Sequence, residues 1–338
     1  MNLKKRSSRV LIVYNEPDPN ADTDDSDILS EAAVKTEAQH VFQAAKKLGY
    51  QPEFLPISDI LVNLNQITRI APEVIVNLCE GYRGKAAYEM HLAALWELLN
   101  IPYTGNPPLT LGIGQNKVLS KKLFETHKIP TPSYQVYHST PQSTYLNYPV
   151  IAKPSREDAS LGITQFSITH NFIELQSRVS ALLEKYNQPI LVEKFIEGRE
   201  FNVSILGNSP PRVLPISEID FSQLDKKAPH ITSYEAKWLP EHPYYQKTPA
   251  VCPAKIGSDL KHKLEEVALR VYTLLGGRDY GRVDIRVDRY GRIYVLEFNP
   301  NPDISMDAGF ANALRAAKMK YEQFIDFIIQ EAIKRKNS

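Results

Sequence analysis

Two neighbouring segments near the C-terminal end carry polar side chains with the alternation of a β-hairpin. Arg282-Val283-Asp284-Ile285 and Glu297-Phe298-Asn299 each place their polar residues on one strand face, and Arg289-Tyr290-Gly291-Arg292 supplies the connection. If the strands pair, two carboxylates, an amide oxygen and a guanidinium converge. Hard oxygen ligands of this kind suit Mg²⁺, and an adjacent arginine stabilises charge on a transferring phosphoryl group. Taken alone, the pattern is equally typical of a surface sheet with cross-strand ion pairs.

A second segment places a lysine at the end of a strand, just before a loop of small and polar residues. Ile151-Ala152-Lys153-Pro154 leads into this loop, which extends to Gly162. Such a lysine can contact phosphates as a point charge while loop amides surround them. The chain has no Gly-x-x-x-x-Gly-Lys-Ser/Thr sequence, so this is not a P-loop. An ordinary strand with a surface lysine would give the same pattern.

In a third segment, Leu191–Glu200, the strand alternation changes phase at Glu193-Lys194. This predicts a stretch of backbone that could pair with the edge of an adenine, with Glu200 accepting hydrogen bonds from ribose hydroxyls. A hairpin with exposed charges is the simpler alternative.

The first hundred residues predict the parallel sheet that would support these groups. Val10–Tyr14 and Val74–Leu78 are apolar runs typical of buried parallel strands, whereas Ser30–Leu48 and Ala86–Leu99 have helical periodicity. Strand, helix, strand, helix indicates βαβ units. The acidic stretch Asp18–Asp27 is predicted to be a loop at the carboxyl end of the first strand, where such sheets place ligand groups, and a solvated surface loop is an equal alternative for most of its carboxylates.

After a helix predicted at Asn116–His127, the pattern changes to short strands of a mixed or antiparallel sheet. The expected strands are Val150–Lys153, Ile190–Ile196, Phe201–Leu206, Arg212–Ile219, Arg282–Asp288 and Ile293–Phe298. Asp220–Val251 has little periodicity and is predicted to be either a functional segment, such as a lid, or disordered. Helices are predicted at Ile256–Leu275 and Tyr321–Lys336.

Composition narrows the class of protein. The 338 residues carry a net charge of +1 with both signs interspersed, which argues against a nucleic-acid or membrane partner held by bulk charge. No apolar run approaches the roughly 18 residues of a membrane span. The basic start leads directly into a strand, unlike a signal peptide. Cys79 and Cys252 have no metal-type spacing. A reduced, zinc-free cytoplasmic protein is expected.

In their order along the chain, these segments resemble the ATP-grasp superfamily and, within it, the D-alanine–D-alanine ligase family. The resemblance covers nearly the whole chain, and the ordered set is specific although each piece is weak. The matching pieces are Ile101–Gly105, Asn116-Lys117 with Ser120-Lys121, Ala152–Glu157, Val192-Glu193-Lys194 with Glu200-Phe201, Tyr234–Lys237, Cys252–Ala254, Gly281–Asp284 and Glu297–Asn299.

The resemblance implies an α/β ATP-grasp fold. A Rossmann-like parallel-sheet subdomain (residues 1–116) would be followed by two α+β subdomains (117–199 and 200–338) that sandwich ATP. It also implies a homodimer formed through the N-terminal subdomain.

By the same resemblance, each part of Mg-ATP would have its own residues. Lys117 and Lys153 would hold phosphates, Glu193, Lys194, Phe195, Ile196 and Leu296 would surround the adenine, and Glu200 would bind the ribose. Asp284, Glu297 and Asn299 would ligate two Mg²⁺ ions, which Mn²⁺ could replace. The catalytic residues would be Arg282, Lys237 on a mobile loop, and Ser160 in the lysine loop.

Several positions depart from the family pattern, and they cluster in the segments that would touch the amino acids. Tyr14–Asp18 replaces a glycine-rich turn followed by Glu-Arg-Glu-Val-Ser, which leaves Glu31 as a weak candidate for the ammonium-binding acid. The other departures are Asp158-Ala159-Ser160 for Gly-Ser-Ser, Trp238 for tyrosine, Pro300-Asn301-Pro302-Asp303 for Thr-x-Pro-Gly, and Ala308 for serine.

The leading hypothesis is therefore a Mg-ATP-dependent ligase that joins an amino acid or small carboxylate to an amine through an acyl phosphate, with substrates other than two D-alanines. True D-alanine–D-alanine ligation, a mycosporine-type amino-acid ligase, and a non-catalytic ATP-binding module are the alternatives.

Overall fold

The computed structural model of the chain describes residues 7–16, 25–157, 160–225, 228–239 and 241–336, and of residues 25–32 it describes the backbone only. Most of the acidic stretch, the Glu31 side chain, Asp158 and Ala159 therefore lie outside the described residues.

The N-terminal part is built on a three-stranded parallel sheet with the order β2-β1-β3. Its elements are β1 (Arg9–Asn15), α1 (Asp25–Lys47), β2 (Gln51–Ile57), α2 (Ile60–Ile70), β3 (Val74–Asn77), α3 (Glu89–Leu98) and α4 (Pro108–Gln115). Alternate residues of β1 enter opposite layers of the core: Val10 and Ile12 pack in the cluster that contains α1, and Leu11 and Val13 in the cluster that contains Trp96.

The middle part is a four-stranded antiparallel sheet with the order β4-β7-β5-β6. Its elements are α5 (Lys117–Thr126), β4 (Tyr134–Tyr137), β5 (Val150–Pro154), β6 (Ile168–Thr169), α6 (Phe172–Tyr186) and β7 (Ile190–Lys194). Helix α6 begins at the Asn171 cap, whose side chain accepts from the Glu174 N–H. It then buries Leu175, Val179 and Leu182 against the sheet.

The C-terminal part is a six-stranded antiparallel sheet with the order β11-β10-β8-β12-β13, in which β9 also pairs with β8. Its elements are β8 (Gly198–Leu206), β9 (Arg212–Val213), β10 (Ser217–Ile219), α7 (Tyr234–Trp238), α8 (Pro243–Lys247), β11 (Ala250–Val251), α9 (Ser258–Leu274), β12 (Tyr280–Asp288), β13 (Ile293–Asn299), α10 (Gly309–Ala316) and α11 (Tyr321–Lys336). Helix α9 covers one face of the sheet, and α11 returns to pack with α1. Among the described residues, no helix combines the length and apolarity needed to cross a membrane.

Most predicted elements exist, and the differences have local causes. Helix α1 begins at Asp25, so the end of the acidic stretch is helical rather than a loop. The strand predicted at Arg212–Ile219 is two strands, β9 and β10, separated by a segment with Pro215, which lacks the N–H that a continuous ladder needs. Strand β7 ends at Lys194, two residues earlier than predicted. The segment with little periodicity contains α7 and α8, each only five residues long. The subdomain limits at 116/117 and 199/200 stay predictions.

Candidate active site

A cavity of about 1410 Å³ lies where the two antiparallel sheets and the loops of the parallel sheet meet. All the predicted site residues except Lys117 line it: Lys153, Ser160, Glu193, Lys194, Phe195, Ile196, Glu200, Lys237, Arg282, Asp284, Leu296, Glu297 and Asn299. Lys117 lies just behind the wall and contacts Glu297. The structure thus brings together residues that are up to about half the chain apart in sequence, whereas their individual roles remain predictions.

The floor of the cavity is one face of the strands β8, β12 and β13. The register pairs Asp284 with Glu297 and Arg282 with Asn299, so the four side chains share one face, as the alternation predicted. On the other side of β12, Asp284 lies opposite Asn202 of β8. Because side chains of paired residues point to the same side of an antiparallel sheet, these groups project together into the cavity.

Asp284 is held in place by two donors from its own sheet. Arg282 Nε and Nη2 donate to its two carboxylate oxygens at 2.7 and 2.8 Å, and Asn202 Nδ2 donates to Oδ1 at 2.8 Å. Burial works against the charge of the guanidinium, but Asp284 nevertheless raises the pKa of Arg282 above its ordinary value. This bidentate pair fixes both side chains before any ligand arrives.

Glu297 is ionised and faces two lysines. Lys117 Nζ lies 3.2 Å from Glu297 Oε2 and also donates to the Glu157 carbonyl oxygen at 2.6 Å. Although burial opposes ionisation, Lys117 and Lys153 lower the pKa of Glu297 to about 2. A carboxylate with this pKa keeps its charge throughout the physiological range.

The donor set fits a Mg²⁺ site that is completed by a ligand. Two carboxylates and the amide oxygen of Asn299 are hard oxygen donors on adjacent strand positions. Asn299 Oδ1 is oriented by the Asn301 N–H at 2.9 Å. Within the part of the chain that the structure describes, no group of three or more acidic, histidine or cysteine side chains could hold a metal unaided. Magnesium is commonly bound through one or two carboxylates together with substrate phosphates, and this site matches that arrangement.

A buried charge network supports the lysine loop. Lys153 Nζ lies 2.5 Å from one oxygen of Glu193, and Lys121 from α5 pairs with the other oxygen. Lys121 also donates to Thr131 Oγ1 at 2.7 Å. Burial opposes the charge of Glu193, but the two lysines hold the pKa of this carboxyl below its ordinary range. Burial lowers the pKa of Lys121, although Glu193 opposes that effect.

The segment after β7 offers the features expected of an adenine and ribose site. The Lys194 and Phe195 N–H groups donate to Ser133 and Pro149, whereas the Ile196 N–H makes no hydrogen bond with any described residue. Glu200 accepts from Arg286 at 2.6 Å and from Thr232 at 2.9 Å. An ionised carboxylate has about four acceptor sites, so Glu200 retains capacity for a hydroxyl.

Described residues of the segment Asp220–Val251 line the cavity, and the role of this segment as a lid stays a prediction. Ser160, at a φ of 62°, donates to the Thr232 carbonyl oxygen at 3.0 Å, and the Tyr234 N–H donates to Ile163 at 2.8 Å. Lys237 of α7 lies over the Trp238 ring, with its Nζ 5.0 Å from the ring centroid. Burial, followed by the nearby Arg282, lowers the pKa of Lys237. A cation so placed is available to a phosphate group in the cavity.

Sequence reasoning missed several groups that hold the site together. Arg286 and Asn202 continue the alternation of β12 and β8 on the cavity face, so this pattern could have revealed them. The pairing of Lys121 with Glu193 had no such signal, because the two residues lie 72 positions apart on unrelated elements. Thr232 lies in the segment without periodicity, where no pattern indicates which side chains turn inward.

Comparison with known proteins identifies the family. The model of the family described as the D-ala D-ala ligase C-terminus matches residues 122–330. A D-alanine–D-alanine ligase of Carboxydothermus hydrogenoformans is 30% identical over 303 residues, covering 86% of this chain and 90% of the relative. An uncharacterized protein of Sinorhizobium fredii, y4sG, is 36% identical over 263 residues, covering 78% and 75%.

The fold agrees with these relatives. The crystal structure of D-alanine–D-alanine ligase from Bacillus anthracis complexed with ATP superposes with a TM-score of 0.76, covering 98% of this chain and 99% of the other at 19% identity. The predicted ATP-grasp fold class is confirmed by this likeness. On the family model and the identity to the ligases, the chain belongs to the D-alanine–D-alanine ligase family of the ATP-grasp superfamily.

Proposed function

We propose that this protein uses Mg-ATP to join the carboxylate of an amino acid or small acid to an amine, through an acyl phosphate, and that its substrates are not two D-alanines. One observation supports the ligase part of the proposal: the carboxylates Asp284 and Glu297 and the amide of Asn299 share one cavity with the basic side chains Arg282, Lys153 and Lys237. Phosphoryl transfer needs positioning and charge neutralisation more than a nucleophilic side chain, and this set provides both.

Each group has a task that its surroundings support. Lys153 and Lys237 would bind phosphate oxygens from opposite sides, one on β5 and one on the lid. The Ile196 N–H would donate to the adenine edge, and Glu200 would accept from the ribose. Magnesium, when bound, would neutralise charge between the phosphates and the carboxylates. Arg282, beside Asp284, would stabilise the acyl phosphate and the negative charge that develops on its carbonyl oxygen when the amine attacks.

The lid has a separate task in this proposal. Its contacts with Ser160, Ile163 and Glu200 would keep water away from the acyl phosphate, which would otherwise hydrolyse. Ser160 would thereby act by holding the lid as well as through any contact with phosphate.

The other end of the cavity supports the substrate part of the proposal. Ala308 caps α10 without a side-chain hydrogen bond, where the family pattern has a serine. Asp303 stands where that pattern has a glycine, and it also lines the cavity. The two changes remove a hydroxyl donor and add a carboxylate, and a carboxylate repels the carboxylate of an amino-acid acceptor.

The test is ADP and phosphate release from Mg-ATP in the presence of pooled amino acids and amines. We expect release that depends on both the metal and an acceptor. Glu297→Gln should reduce it by about a hundredfold to a thousandfold, with an unchanged circular dichroism spectrum. Glu266→Gln, on the exposed face of α9, is the matched control and should retain full activity. Full activity in Glu297→Gln would refute the metal assignment, and ATP binding without release would indicate a non-catalytic module.

A further inference from the structure

Several carboxylates of the cavity are neutralised by a lysine or arginine of the protein, whereas two others are not. At the nucleotide end, Glu193, Glu200, Asp284 and Glu297 each pair with a lysine or arginine. Protein charges buried in a cavity are generally paired in this way, because an isolated charge is costly to desolvate.

At the opposite end, Asp303 and Asp307 lack such a partner. Both line the cavity on the segment between β13 and α10, and neither forms an ion pair with any residue that the structure describes. Asp303, which is half-buried, accepts from the Ser305 N–H at 2.8 Å. Arg315, the cation of α10, instead donates to the Met306 carbonyl oxygen and to Asn312 Oδ1.

Ser305 provides an independent sign of a ligand. Its side chain lines the cavity and the residue is only 6% exposed, yet its hydroxyl makes no hydrogen bond with any described residue. A ligand group that donates a hydrogen bond would satisfy this oxygen.

Other groups around this end confirm that the local charge is negative. Burial, then Asp303, raises the pKa of Glu37, and burial, then Glu37 and Asp303, raises the pKa of Tyr321. The N-terminus of α10 follows Asp307 and contributes roughly half a positive charge. The negative charge of the two carboxylates is larger than this. Lys237 is the cation that faces this end from the lid, and the proposed reaction requires it for phosphate.

Two basic side chains of the loop between β3 and α3, Arg83 and Lys85, also line the cavity. The Arg83 guanidinium lies 5.3 Å from the centroid of the Tyr82 ring, and Lys85 Nζ lies 5.4 Å from that of Tyr88. Both residues are exposed. Neither forms an ion pair with Asp303 or Asp307 in the part of the chain that the structure describes, so a cationic ligand group could pair with these carboxylates.

We infer that the acceptor substrate carries a second cationic group besides the amine that enters the new bond, and that this group sits between Asp303, Asp307 and the Ser305 hydroxyl. The inference rests on the proposed function, because it takes this end of the cavity as the acceptor site. An ammonium or guanidinium would donate to all three oxygens. Diamines and basic amino acids share this chemistry, whereas D-alanine lacks it.

The experiment compares ligands that differ only in the second charge. Calorimetric titration of the protein bound to Mg²⁺ and a non-hydrolysable ATP analogue would use cadaverine against pentylamine, and lysine of each hand against norleucine. We expect the dicationic member of at least one pair to bind at least about tenfold more tightly. A preference limited to cadaverine identifies a diamine, and one limited to lysine identifies a basic amino acid.

Substitutions of single carboxylates test whether Asp303 and Asp307 cause this preference for a second charge. Asp303→Asn should abolish the preference for the dicationic ligand. Asp307 is more exposed, so Asp307→Asn should not disturb folding, and it should reduce the preference. Asp259→Asn, on the exposed start of α9, is the control and should retain it. Equal binding within every pair, no binding by any dication, or a preference that survives Asp303→Asn would each overturn the inference. Turnover only with amines that lack a second cationic group would overturn the inference while leaving the ligase proposal intact.

Discussion

At the scale of single residues, the main feature of the site is that its buried charged side chains are paired with side chains of opposite charge. Glu193 is the clearest case, because it is 1% exposed and its two oxygens meet Lys121 and Lys153 on opposite sides. A pair buried to this extent adds little net stability against an apolar replacement, but removing one member leaves an uncompensated charge. We therefore regard the network as a means of fixing the position of Lys153.

The first prediction concerns Glu193→Gln. It should destabilise the protein by about 3 kcal/mol or more at neutral pH, because two buried lysines lose their counter-charge. The folded-state pKa of Glu193 lies below the ordinary 4.5, so its contribution is present above that value and is lost as the pH falls through the folded pKa. The difference in urea midpoint between wild type and variant should be constant above about pH 5 and narrow below it.

Glu184→Gln on the exposed face of α6 provides the control for this prediction. It should change the free energy of unfolding by less than about 0.5 kcal/mol at neutral pH. A gap between wild type and Glu193→Gln that stays constant down to the acid unfolding transition would contradict the assigned ionisation.

At the scale of elements, the site depends on how closely β8 and β12 approach. Gly198 begins β8 with a φ of 150°, and a Cβ at this position would lie 2.0 Å from the Val287 carbonyl oxygen. The Val287 carbonyl oxygen belongs to the backbone, so it cannot move aside as the end of a flexible side chain could. Glycine is therefore required where the strand that carries Glu200 enters the sheet.

We predict that Gly198→Ala destabilises the protein by about 3 kcal/mol or more, or prevents its folding. Gly257→Ala is the matched control, because it has a φ of −71° and no atom within 4 Å of an added Cβ. It should stay within about 1 kcal/mol of wild type. Thermal unfolding of the two variants tests the prediction, and equal melting temperatures would contradict it.

Sequence pattern predicted those elements whose side chains alternate without interruption. The β12–β13 hairpin and its polar face were predicted because Arg282, Asp284, Glu297 and Asn299 follow period two. The pairing of individual residues, and the register shift between Asp284 and Ile285, were not. Strand β2 was missed because its two prolines and its exposed positions do not form a strand pattern. Helix α2 was also missed, although the sequence signals it: Asp59 caps its start, and its apolar residues recur every three or four positions.

At the scale of the whole molecule, one buried aspartate joins the parallel-sheet part to the C-terminal sheet. Asp279 is fully buried and accepts from the Gly105 N–H at 2.9 Å and from Arg335 of α11 at 2.7 Å. Arg335 also donates to the Tyr103 carbonyl oxygen at 2.7 Å. These contacts fix the base of β12, and thereby the floor of the cavity, against the first sheet.

Arg335→Met should therefore destabilise the protein by about 3–5 kcal/mol, since Asp279 would keep its charge without a cation. Lys336→Met, on the exposed side of the same helix, should have almost no effect. Urea unfolding of both variants provides the measurement. If the two had the same midpoint, the contact would not stabilise the assembly of the two parts.

The central claim is that the protein retains the ATP-dependent chemistry of its family and has changed its substrates. The most direct measurement is product analysis by mass spectrometry after incubation with Mg-ATP and D-alanine alone, alongside incubation with pooled amino acids and diamines. We predict no D-alanyl-D-alanine in the first reaction, and an amide product that forms with ADP in the second. Formation of D-alanyl-D-alanine as the main product, at a rate equal to or above that with any other acceptor, would contradict the account.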